Sequence, residues 1–193
     1  MITLQNGDIF ILNRKGKFGN FYSKAQRFFT KLPFTHAAIQ FGEVKEFESI
    51  ISADELVCLI PTQKYFDEEK FGTDIEIWRI KNANKNDIEF YLERLYECLA
   101  GTSYGYVQIL WFIYRWFMES VFQKDVRHFN NPFKNGTVCS ELTWKFLYNM
   151  SDKIPELRKK LNEWTPDTVS SGDIHNICLL LPNVFELVYK TNL

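Results

Sequence analysis

Apolar and polar positions along the chain fall into short, separable patterns. Gly7-Asp8 forms a turn signal, and the run Ile9-Phe10-Ile11-Leu12 after it predicts a buried strand. Positions 20–31 place Phe21, Tyr22, Ala25, Phe28 and Phe29 at helical spacing, and Pro33 closes that segment. His36 to Phe41 predicts a strand ending at Gly42, followed by strands at roughly 45–51 and 56–60. Further on, Ile75, Ile77 and Arg79 lie on one side of a strand and Trp78 and Ile80 on the other, which suits a sheet covered on both faces.

The second half is more helical. Residues 87–100 predict an amphipathic helix with Asp87 as cap, a stripe of Ile88, Tyr91, Leu92, Leu95 and Leu99, and Gly101 as stop. The stretch 104–122 is almost wholly apolar and aromatic, broken by Gln108, Arg115, Glu119 and Ser120. It falls short of the about 20 apolar residues that span a bilayer, which leaves a core helix or a lipid- or membrane-contacting helix. A helix beginning near Cys139 carries the stripe Cys139, Leu142, Thr143, Phe146, Leu147 and Met150. Trp164-Thr165-Pro166-Asp167 is turn-rich, and 184–189 predicts a closing strand.

The length of 193 residues suits a single domain, and 46% apolar against 24% charged residues can bury a core. No internal repeat, low-complexity tract or linker divides residues 1–193. Aromatics reach 17%, which marks either a dense core or a surface for apolar ligands. Net charge is −1 with no basic stripe, which argues against nucleic acid as a partner. The first residues show no basic region followed by an apolar run, so a cytoplasmic, phage-encoded or host-intracellular protein is expected. The four cysteines, Cys58, Cys98, Cys139 and Cys178, show no Cys-x-x-Cys spacing. That disfavours a zinc site or a disulfide framework and leaves nucleophilic chemistry as the use for a thiol. Cys139 and His36 lack two further ligands at sensible spacing, so neither metal nor cofactor is expected.

Cys139 follows the turn-forming Asn135-Gly136-Thr137 and opens a helix. A helix N-terminus lowers a thiol's pKa, and its free N–H groups can hold an oxyanion. The plain alternative is a small buried hydrophobe. His36 opens a strand, where an imidazole can project toward a neighbouring helix and take the thiol proton. Glu48, 12 residues later on the next strand, could orient that ring, with Glu46 its rival. Each also has an ordinary structural alternative: a structural histidine, an exposed carboxylate. His128 and His175 fall in loop-like stretches and are read as structural or solvent-exposed.

Gly7-Asp8-Ile9-Phe10, Arg27-Phe28-Phe29-Thr30 and Phe34-Thr35-His36-Ala37-Ala38-Ile39 resemble the opening of the permuted NlpC/p60 amidases, a papain-like group. Phe47-Glu48-Ser49 is similar to the family's Glu-small-residue strand motif, Val138-Cys139-Ser140-Glu141-Leu142 to its nucleophile helix, and Thr165-Pro166-Asp167 to its late proline turn. The chain departs from the family in having Tyr104-Gly105 where Tyr-Asp is common, and in a longer aromatic run after it. The resemblance implies an α+β, circularly permuted papain-like fold, with an antiparallel sheet packed against helices that include the nucleophile helix. It also implies Cys139 as nucleophile, His36 as general base and Glu48 as the residue that orients it.

Three functions are then open. One is a cysteine amidase or peptidase acting on a peptide, isopeptide or cell-wall amide. Another is a lipid-directed acyltransferase or hydrolase using the same pair on an acyl-lipid, with 104–122 as its lipid contact. The third is a catalytically silent binding module.

Overall fold

The computed structural model describes residues 3–13, 24, 28, 34–44, 47–53, 56–66, 74–129, 131, 132 and 136–191. The strands are β1 (Ile9–Leu12), β2 (His36–Val44), β3 (Phe47–Ala53), β4 (Val57–Pro61), β5 (Ile75–Ile80) and β6 (Phe185–Lys190). They form one six-stranded antiparallel sheet in the order β4-β3-β2-β1-β5-β6. The helices are α1 (Lys85–Leu99), α2 (Gln108–Phe122), α3 (Cys139–Met150), α4 (Pro155–Leu161) and α5 (Ser171–Leu180). The fold class is therefore α+β.

The unbroken apolar run of β1 is explained by its central place, because both of its faces are buried. Ile9 and Ile11 join Ile39, Ile51, Trp78 and Ile80 under Leu142, Phe146 and Leu147 of α3 and Ile174 and Ile177 of α5. Phe10 and Leu12 join Ala38, Ile50, Ile75 and Ile77 on the opposite face. Tyr65, fully buried on a 3₁₀ turn at Thr62–Phe66, closes that second cluster. Trp78 and Ile77 thus lie on opposite faces, as their alternation predicts.

Several boundaries differ from the sequence expectation. β2 continues through Gly42, whose φ of +66° is the left-handed value glycine tolerates, and its register against β3 shifts between Gln40 and Glu43. α1 begins two residues before Asp87, and its cap is Asn84, whose side chain accepts from Asn86 N–H at 2.8 Å. The stretch at 104–122 is helical from Gln108. α4, with Pro155 in its first turn, and α5 were not anticipated. The helix expected over 20–31 lies outside the described residues except for Lys24 and Phe28, both helical.

Candidate active site

Cys139 is the first residue of α3, and Val138 before it is extended, with φ −98° and ψ 158°. The intrahelical bonds begin with Leu142 N–H donating to Val138 O, so the N–H groups of the first turn have no helical carbonyl. Gly136 sets up this turn. Its φ is +97°, and a Cβ there would lie 2.2 Å from the backbone oxygen of Ser103. Glycine is thus required where this loop passes the 103–105 segment.

A second helix start meets the same sulfur. Ser171 opens α5, and its Oγ lies 3.8 Å from Cys139 Sγ. Ser170 and Asp173 close a capping box there, and Ser140 Oγ donates to Val169 O at 2.7 Å, tying the two helix starts together.

His36, the first residue of β2, supplies the third wall. Gln40 N–H donates to Asp8 O in the β1 ladder, so by alternation the N–H groups of odd residues in β2, Ala37 among them, point toward β3. The β2–β3 pairs end at Ile39↔Ile51, before the strand's start, and the Ala37 N–H bonds Cys139 instead. The His36 ring also hydrogen-bonds the thiol. Its Nε2 lies 3.1 Å from both Ser52 Oγ and Tyr65 Oη, which leaves Nδ1 to share a proton with sulfur. The Tyr65 ring stacks on the imidazole at 5.8 Å, and its hydroxyl donates to Ser52 at 2.5 Å.

The electrostatics single out this thiol. Burial pushes Cys139 up, but the charge of His36, its hydrogen bond, the Ala37 N–H and the Ser171 hydroxyl outweigh that and bring it down to about 7. Cys178, also buried, is pushed well up by burial and by the nearby Glu76 charge. Cys58 is half-buried and Cys98 exposed. Cys139 itself is only 3% exposed and His36 2%, so the pair is sheltered.

Of the residues singled out from sequence, Cys139 and His36 come together and Glu48 does not. Glu48 pairs with Glu43, seven residues along β2 from His36. At about 3.3 Å per residue the separation is roughly 20 Å, too far for a hydrogen bond. Glu46 lies outside the described residues. The position that meets His36 Nε2 is Ser52, four residues past the expected acid, with Tyr65 from the 3₁₀ turn. Nothing in a strand serine or a loop tyrosine announces that role. His175 lies in a helix and not in the loop-like stretch expected, and of the two readings offered for it the structure has the structural one, not the solvent-exposed one. It sits in α5, buried, with Nε2 2.9 Å from Glu76, and Glu76 also takes Lys190 at 2.8 Å and the Trp78 indole at 3.1 Å. His128 is exposed.

Among the described residues no group of three or more His, Cys, Asp or Glu is placed to hold a metal. No family model and no curated protein matches the sequence. Among solved structures the chain is similar to the metalloprotein yiiX of Escherichia coli O157:H7, with a TM-score of 0.46 and 11% identity over 72% of this chain and 91% of that one. At that level the likeness carries no argument.

Proposed function

We propose that this chain is a cysteine hydrolase of permuted papain-like type that cleaves an amide through a Cys139 acyl-enzyme, with His36 as general base. The observation that supports it most is the sulfur's position. It lies at the first turn of α3 against the His36 ring, with its pKa brought down to about 7 despite burial. The order also fits, since His36 on its strand precedes Cys139 on its helix, the reverse of papain's order.

The chemistry follows from these groups. His36 Nδ1 takes the thiol proton, and the sulfur forms a bond to the substrate carbonyl carbon. The carbonyl electron pair moves to oxygen, where the free N–H groups of the α3 first turn can stabilise it. Collapse breaks the C–N bond, the amine leaves with the proton held by His36, and a thioester remains. Water then attacks, giving its proton to His36, and the carboxylic acid leaves as the thiol is restored. Peptide, isopeptide and cell-wall amides all meet this requirement.

The test is the rate of Cys139 alkylation by iodoacetamide against pH, mapped by mass spectrometry, in wild type and His36→Ala. The expected profile rises through pH about 7, well below the ordinary thiol near ~8.5, and His36→Ala moves it back up. Labelling of Cys139 no faster at pH ~6 than that of Cys58 or Cys98 would sink the proposal.

A further inference from the structure

The Cys139 sulfur is met by the His36 ring, the Ala37 N–H and the hydroxyl of Ser171, the last at 3.8 Å. A thiolate has no hydrogen to give, so Ser171 donates to it. These donors have different roles once a substrate is attacked. The proton that His36 takes on Nδ1 goes on to the leaving amine. The Ala37 N–H is fixed in the β2 backbone. The Ser171 hydroxyl turns about a single side-chain torsion, and among the described residues its hydrogen-bond partner is the sulfur. When sulfur bonds a carbonyl carbon it loses its charge, which passes to the carbonyl oxygen two bonds away. The Ser171 hydrogen then has an anion beside it and none at sulfur.

The surrounding structure fixes this serine without using its hydroxyl. Ser171 is the first residue of α5 and 1% exposed, but the capping box of that helix is closed by Ser170 and Asp173. The loop before it is tied down at the late proline turn. Asp167 accepts from Asn131 N–H at 3.0 Å, and Thr168 Oγ1 donates to Arg127 O at 2.7 Å. Arg115 of α2, itself buried, donates to Thr168 O and, at 2.9 Å, to Asp173. Gln108, two turns earlier on α2, donates to Gly136 O at 3.0 Å in the loop before Cys139. One helix thus holds the loop of the sulfur and the loop of the hydroxyl. Packing alone does not call for a hydroxyl at so buried a position, because a thiol sulfur is a weak acceptor. A thiolate or an oxyanion is a strong one.

We propose that Ser171 is a catalytic residue whose hydroxyl donates to the Cys139 thiolate in the free enzyme and to the substrate oxyanion in the tetrahedral intermediate. Ser171 keeps its proton throughout: the hydrogen bond moves, and no further covalent bond forms or breaks. With the first-turn N–H groups of α3 it makes an oxyanion hole of mixed origin, part backbone and part side chain. Such a donor is effective because it is in place before charge develops. The inference rests on the Cys139 hydrolase reading and adds a residue to it.

The experiment compares two reactions of the same thiol at pH ~8, each mapped to Cys139 by mass spectrometry. Iodoacetamide alkylates the thiolate by displacing iodide and develops no oxyanion. p-Nitrophenyl acetate acylates it through a tetrahedral oxyanion, read as released p-nitrophenolate. The ratio of acylation to alkylation rate cancels the thiolate fraction and the exposure of the sulfur. Wild type, Ser171→Ala and Ser140→Ala are compared, with the melting temperature of each. Ser171→Ala should fold, since the cap stays with Ser170, and should lower the ratio at least ~10-fold. Ser140→Ala removes a neighbouring buried hydroxyl, one that donates to Val169 O. It should lower the melting temperature and leave the ratio within about two-fold.

A ratio unchanged in Ser171→Ala, or lowered as far by Ser140→Ala, overturns the inference. So does a wild type that is alkylated but never acylated. In each case the Cys139–His36 pair still stands if wild-type Cys139 labels early in the pH profile. Labelling of Cys139 no faster than that of Cys58 or Cys98 overturns the hydrolase reading and this inference together.

Discussion

His36 Nε2 lies 3.1 Å from the hydroxyl of Ser52, a residue four positions past the glutamate that the sequence pattern offers for that place. Tyr65 shares the contact at the same distance. Two hydroxyls can accept the Nε2 proton and so favour the tautomer in which Nδ1 can take the thiol proton. They bring no formal charge, unlike a carboxylate. The imidazolium formed on proton transfer is therefore balanced chiefly by the thiolate beside it, which fits a thiol lowered to about 7 and not further.

The hydroxyl pair should be partly redundant. Ser52→Ala leaves Tyr65 on Nε2, and Tyr65→Phe leaves Ser52. Each single change is expected to slow Cys139 alkylation at pH ~6 about five-fold, the value of a hydrogen bond worth ~1 kcal/mol, and the double change more than ~10-fold. Glu48→Gln should leave the rate within about two-fold, because the β2–β3 register holds Glu48 opposite Glu43. If Glu48→Gln slows labelling as much as the double hydroxyl variant, this assignment is wrong.

Acid stability should report on Glu76. Burial works to raise its pKa, but the hydrogen bonds and charges of His175 and Lys190 prevail and lower it to about 2. A folded-state pKa below the unfolded value of 4.5 stabilises the fold above that value and loses the contribution as pH falls toward about 2. The contribution is on the order of 3 kcal/mol. Urea unfolding followed between pH ~6 and ~2.5 should show this loss in wild type, with a flatter profile in Glu76→Gln. Parallel profiles would mean that Glu76 is not held in its charged form.

Gly136 and Gly101 make a matched pair for testing the nucleophile turn. Both have positive φ, +97° and +78°, but a Cβ at Gly101 meets nothing within 4 Å, while at Gly136 it strikes Ser103 O. Gly101→Ala should cost only its backbone strain, about 1 kcal/mol. Gly136→Ala should cost several times that, read as a lower melting temperature, and should slow Cys139 labelling because the loop entering α3 must move. Equal melting temperatures would show that the loop relaxes freely.

Much of this architecture is written locally. Ile9-Phe10-Ile11-Leu12 is a strand buried on both sides because it is apolar at every position, and the spacing from Cys139 to Met150 makes a helix with one face inward. The candidate thiol and imidazole are legible for the same reason. Each opens its element directly after a turn signal, and an element's first residue is where backbone geometry exposes a side chain to a neighbour. α5 escaped notice because Ile174, His175, Ile177 and Cys178 are all buried, together with Ser171 and Gly172, and a helix covered so widely carries a weak amphipathic stripe.

What the sequence by itself determined, then, is the strands, the helices with a one-sided apolar stripe, and that His36 and Cys139 each open an element, because hydrophobic periodicity and turn residues act over a few positions. Only the tertiary structure decided that Ser52 and Tyr65, not Glu48, meet His36, since the register shift between Gln40 and Glu43 and the packing of the 3₁₀ turn depend on partners far along the chain. It also decided which way α2 faces. An aromatic helix has apolar residues on every side, so its orientation is set by where Gln108 and Arg115 find their buried carbonyls, and those carbonyls belong to Gly136 and Thr168.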